Sequence, residues 1–147
     1  RKMKDIKNKT RYSNLAVLSA LTISAPFFAI MFGGTFKDSI VSFVVMAVEA
    51  AFLLFIGRYK VIYFLTNFLG AFISTVLVMI LAKFFFIHNP VSIIIVSLMP
   101  LVPGVQITNS VRDFMAGDYL SGIIGVQSAI FVSVAIALGV VMGLKIV

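Results

Sequence analysis

Apolar residues in this chain fall into long continuous runs, not alternating positions or narrow stripes. Runs cover residues 14–32, 39–56, 61–86 and 119–144, and a fifth, 91–103, is cut short by Pro100 and Pro103. A helix needs about 20 apolar residues, each rising about 1.5 Å, to cross a bilayer. The pattern therefore predicts an all-α integral membrane protein with five transmembrane helices and a Pro-broken fourth. The period-two alternation of a membrane β-barrel is absent from the pattern. Short connections separate the runs. Gly33, Gly34 and Thr35 end the first, and Lys37–Asp38 mark a polar loop. Gly57–Arg58 end the second, and His88-Asn89-Pro90 places a proline where a helix can begin. The third run is long enough to tilt or to end in the interface. Gly122, Gly125, Gly139 and Gly143 in the last run allow close helix contacts.

Composition strengthens this picture. With 61% hydrophobic residues, 12% charged residues and a mean hydropathy of +1.15, the chain carries more apolar surface than a soluble domain of 147 residues buries. With no cysteine it has no disulfide or thiol nucleophile, and with one histidine, His88, it has no multi-histidine metal site. No metal or other cofactor is expected. No Ser-His pair or carboxylate pair can be assembled for catalysis, and no nucleotide-binding motif points to ATP. The expectation is a protein that is not an enzyme.

Charge sets the orientation. Of the 12 Lys and Arg residues behind the net charge of +7, six fall in the first eleven positions: Arg1, Lys2, Lys4, Lys7, Lys9 and Arg11. Residues 1–13 read as a basic cytoplasmic juxtamembrane segment lying on the bilayer surface, not as a nucleic-acid footprint. A lipid-headgroup site is the other reading. Arg58, Lys60 and Arg112 extend the cytoplasmic set, against Lys37, Lys83 and Lys145 on the opposite side. This predicts a multi-pass protein with its N-terminus inside and its C-terminus outside. An odd number of spans lets a second five-span unit insert in the opposite sense, so the unit at 14–147 reads as half of an inverted-repeat transporter. Arg1 in place of an initiating Met implies a start that is processed, trimmed or renumbered. The first apolar run is too long for a signal peptide.

The chemistry concentrates in MPLVPGVQITNSVRDFMAGDYLSG, residues 99–122. Pro100 lacks an amide and its ring opposes the carbonyl of Val96. Pro103 drives Val102 out of helical geometry, and Gly104 permits a turn. Carbonyls near Val96, Met99 and Pro100 should lose helical partners and become able to hold a cation or a substrate ammonium. Irregular backbone at membrane depth survives only inside protein or beside water. In the polar segment 104–118, Thr108, Asn109, Arg112 and Asp113 share one face if that segment is helical. Arg112 can grip a carboxylate through two parallel hydrogen bonds, and Asp113 can pair with Arg112 or with a cation. The set suits a zwitterion or a small carboxylate. Against this stands an ordinary interfacial Arg112–Asp113 pair. Asp118, after Gly117, reads as the N-cap of the fifth span.

Glu49 is the other unusual residue. It lies mid-span, where an ionised carboxylate is costly, and is a candidate for proton coupling. A structural hydrogen bond or a partner-facing position are the competing readings. Asn67, Ser74 and Thr75 read as helix–helix contacts, His88 as an exposed loop residue, and Phe84–Phe86 as an interfacial aromatic belt.

The segment SLMPLVPGVQITNSVRDFMAGDYLSG resembles the hallmark of the threonine/serine exporter family. The family's PLVPG break, Asn, Arg-Asp, Gly-Asp and Ser-Gly match Pro100–Gly104, Asn109, Arg112–Asp113, Gly117–Asp118 and Ser121–Gly122. APFFAIMFGGTFKDSIVSF is similar to the family's first span and Gly-Gly loop. The resemblance implies the first membrane module of a secondary exporter of threonine and serine in the bacterial plasma (inner) membrane. It would work by alternating access driven by the proton-motive force. It also implies a cytoplasmic domain before the module and a second five-span module, fused or separate, with a homo-oligomer as the alternative. Relatives that export dicarboxylates such as succinate supply a second substrate reading. A membrane anchor for a cytoplasmic domain is the alternative of another class.

Overall fold

The computed structural model describes residues 14–57, 59 and 62–147. The basic segment 1–13, Arg58, Lys60 and the first residue of the expected third span, Val61, lie outside the described residues. Six α-helices follow one another, and no strand occurs among the described residues. They are α1 (Asn14–Met31), α2 (Phe36–Ile56), α3 (Tyr63–Phe85), α4 (Pro90–Leu98), α5 (Gly104–Met115) and α6 (Tyr119–Ile146). Three of them, α2, α3 and α6, are long and apolar enough to cross a membrane, and α1 is a shorter apolar helix. Helix α4 has nine residues, about 13 Å of rise, well short of a bilayer core of ~30 Å.

Local chemistry explains the boundaries. The second run begins at Phe36, ahead of the expected Ser39, because Thr35 and Asp38 form a capping box. The Thr35 amide donates to Asp38 Oδ2 at 2.8 Å, and the Asp38 amide donates to Thr35 Oγ1 at 3.5 Å. Asp38 is therefore not a loop residue. It is fully buried, and its Oδ1 also accepts the His88 amide at 3.1 Å. One carboxylate thus ties the start of α2 to the α3–α4 connection. Helix α3 stops at Phe85, with Phe86 in the left-handed region at φ 49°. Asn89 then accepts the Ser92 amide and Pro90 opens α4.

Helix α3 packs most extensively on α6, α1 on α2, and α5 on α6, while α4 contacts α1, α2 and α3. Small residues let these helices approach. A Cβ on Gly139 would meet the Phe68 carbonyl oxygen at 2.5 Å and the Ala71 side chain at 3.0 Å. Three apolar clusters join the helices. Ala25, Ala29, Met46 and Val96 link α1, α2 and α4. Val45, Val78, Ile93 and Ile94 link α2, α3 and α4. Ala71, Leu101, Val132 and Ile136 seat the α4–α5 connection between α3 and α6.

Candidate functional site

The break lies between Leu98 and Gly104. The Leu98 carbonyl accepts both the Leu101 amide at 2.9 Å and the Val102 amide at 3.2 Å. Pro103 sits at φ −79° and ψ 47°, and the Gly104 amide donates to the Val102 carbonyl at 2.8 Å, an inverse γ-turn. The Val96 carbonyl, expected to be stranded, instead accepts the Met99 amide at 3.2 Å, because the chain tightens into a three-residue turn before the proline. The Met99 and Pro100 carbonyls fall outside this pattern, since Pro103 has no amide and the Gly104 amide is used at Val102.

Beyond the break, residues 104–115 are helical and amphipathic. Ser110 and Phe114 turn toward α6, where Gly125 and Gly122 leave room for the Ser110 hydroxyl and the Phe114 ring. Thr108, Asn109 and Arg112 lie on the outer face and are exposed, with Val105 continuing the same face. Asp113 is half-buried at its edge. Thr108 Oγ1 donates back to the Gly104 carbonyl at 3.0 Å. No ion pair joins Arg112 to Asp113 among the described residues. At the far end, Gly117 adopts φ 83° and Asp118 Oδ1 accepts the Ser121 amide at 3.2 Å. Hydrogen bonds from Ser121 hold the Asp118 carboxyl below the usual carboxylate range.

Glu49 occupies a second locus. It is 1% exposed, and its Oε2 accepts the Ser74 hydroxyl of α3 in a short hydrogen bond. Its Oε1 is buried and has no hydrogen-bond partner among the described residues. A Cβ built on Gly70 would lie 2.7 Å from that oxygen and 3.2 Å and 3.3 Å from the two terminal methyls of Leu101. The fold therefore brings Glu49 and Leu101 of the break to the same glycine, Gly70, a juxtaposition that residue spacing does not reveal. The outer-face residues Thr108, Asn109 and Arg112 are not drawn into this interior locus. Gly70 and Ser74 carry a faint sequence signal, a small-xxx-small pair on α3. Leu101 carries none beyond its place between two prolines. The cavity of about 310 Å³ between α2 and the end of α3 is apolar apart from Lys37 and takes in no candidate residue.

The described residues thus combine three helices long and apolar enough to cross a membrane, a proline-broken segment, an exposed polar helical face and a buried carboxyl. A family model, ThrE, "Putative threonine/serine exporter", matches residues 1–147. The chain belongs to the threonine/serine exporter family, a family of transporters. No curated protein and no solved structure matches it.

Proposed function

We propose that this chain is one membrane module of a secondary exporter for small polar amino acids, threonine and serine, in the bacterial plasma membrane. The reading rests on the family match over 1–147, supported by the broken α4 and the uncovered polar face of α5. Pro100, Pro103 and Gly104 interrupt the helix. Thr108, Asn109, Arg112 and Asp113 then offer hydrogen bonds and charge to a zwitterion, with Arg112 on the carboxylate. Proton-motive force drives export by alternating access, with Glu49 carrying the proton. Polar groups at membrane depth require protein or water around them. The outer face of α5 is thus the place for a second five-span module, or a second copy, to complete the pathway.

The test is efflux of labelled threonine, serine and succinate from vesicles containing this chain and its partner module, with an imposed proton gradient. Threonine and serine efflux that collapses with the gradient is the expected result. Succinate efflux in their place would assign a dicarboxylate exporter. No flux of any of the three, with cytoplasmic-domain positioning intact, would return the chain to an anchor.

A further inference from the structure

Glu49 is more than a polar residue in a span. Among the described residues its carboxyl has one hydrogen-bond donor, Ser74, and its second oxygen lies at Gly70, the glycine that the methyls of Leu101 also approach. No ionisable side chain occurs in α1, α4 or residues 99–103, and those of α2 and α3 other than Glu49 lie toward the helix ends, at Lys37, Asp38, Tyr63 and Lys83. A carboxylate with a single donor in an apolar setting is costly, so this packing suits the acid form.

The walls around it differ in stiffness. Gly70 and Ser74 belong to an unbroken helix whose close contact with α6 at Gly139 leaves no slack. Leu101 belongs to a turn held by two bonds to one carbonyl and flanked by prolines. Leu101 is 3% exposed and packs on Ala71, Val132 and Ile136. Uncovering one leucine side chain costs less than keeping an ionised carboxylate dry with one donor.

We propose that Leu101 is a lever through which Glu49 controls the helix break: the neutral carboxyl lets Leu101 seat between α3 and α6, and loss of its proton unseats Leu101 and opens residues 99–103 to water. This rests on the proton-carrying reading of Glu49 and adds the positioning residues, Leu101, Gly70 and Ser74, that link the proton to the break. Oε1 is the face that acts, because it and the Leu101 methyls both approach the same glycine, Gly70.

The chain has no cysteine, so single reporters can be placed cleanly. A nitroxide on Val102→Cys, where the side chain is 54% exposed, reads the break in membrane vesicles. A nitroxide on Ile130→Cys, on the outer face of α6, serves as reference. Accessibility to a water-soluble paramagnetic relaxer should rise several-fold at Val102 as pH is raised and stay constant at Ile130. Glu49→Gln, which keeps the shape of the neutral acid, should hold Val102 at its low-pH value. Leu101→Ala should abolish the pH response while leaving Glu49 in place. A constant signal at Val102, a response that persists in Glu49→Gln, or one that persists in Leu101→Ala would each overturn the lever. The assay needs no substrate. Proton-driven threonine efflux with a silent Val102 reporter would remove the lever and keep the exporter. A Glu49-dependent reporter response without threonine or serine efflux would keep the lever and remove that exporter reading.

Discussion

The two polar regions of this chain are built in opposite ways. Around Glu49 the chain encloses the carboxyl itself: Ser74 donates, and Gly70 makes room where Leu101 also packs. Along α5 the chain supplies one wall only. Ser110 and Phe114 face α6, while Thr108, Asn109 and Arg112 are exposed among the described residues. In a bilayer, a polar group that is already enclosed contributes to the fold, whereas one left uncovered requires water or another protein. Changes in the first region should therefore register in stability as well as in proton coupling, and changes in the second in substrate affinity alone.

The largest expected effect that separates them is at Arg112. Arg112→Ala should weaken substrate affinity by a charge-assisted hydrogen bond, ~1.5–3 kcal/mol or roughly ten- to a hundredfold. Because the side chain is exposed, the midpoint of denaturant unfolding should not move. Arg112→Lys should lose part of the affinity, since the planar fork is gone while the charge stays. Efflux kinetics and unfolding, measured on the same preparations, decide the matter. A lowered midpoint with unchanged kinetics would make the α5 face structural.

A smaller effect of opposite type is expected at Ser74. Ser74→Ala removes the one donor to Glu49 and should lower unfolding stability by ~0.5–1.5 kcal/mol, with substrate affinity unchanged. An unchanged unfolding midpoint would show that the enclosed region does not hold α2 to α3.

The smallest effect belongs to Asp118, at the mouth of the open region. Its carboxyl is held below the usual range by hydrogen bonds from Ser121. Its support of the α6 start is then present above the ordinary Asp range and is lost as pH falls through the lowered folded value. The protection factors of the Ser121 and Gly122 amides, relative to their intrinsic exchange at each pH, should fall in acid in the wild type. In Asp118→Ala they should be low at every pH. Wild-type protection factors that do not change with pH would mean that the cap carries no weight.

Much of this comparison is legible in the sequence. Continuous apolar runs demand helices in lipid, and Pro100 and Pro103 cannot continue one, because each lacks an amide and crowds the preceding turn. The family resemblance was carried by contiguous residues, Pro100–Gly104, Asn109, Arg112–Asp113 and Ser121–Gly122, and such local strings survive without knowledge of packing. The Thr35–Asp38 capping box was also present in the sequence, but the apolar count placed the helix start at Ser39, so Asp38 passed for loop. Its bond to the His88 amide, fifty residues away, had no local signature.

Tertiary structure alone decided the relations between distant positions. Glu49, Gly70, Ser74 and Leu101 come from two helices and a turn, and only packing of α3 on α6 and α2 brings them together. Periodicity reports which positions are apolar. It does not report which neighbour a mid-span carboxyl will meet, because in a uniformly apolar helix every face is chemically similar and the small residues of the partner helix choose the contact. The same holds for α5. Its sequence placed Thr108, Asn109 and Arg112 on one face, and the contact of Ser110 and Phe114 with Gly125 and Gly122 decided that this face would be the one left open.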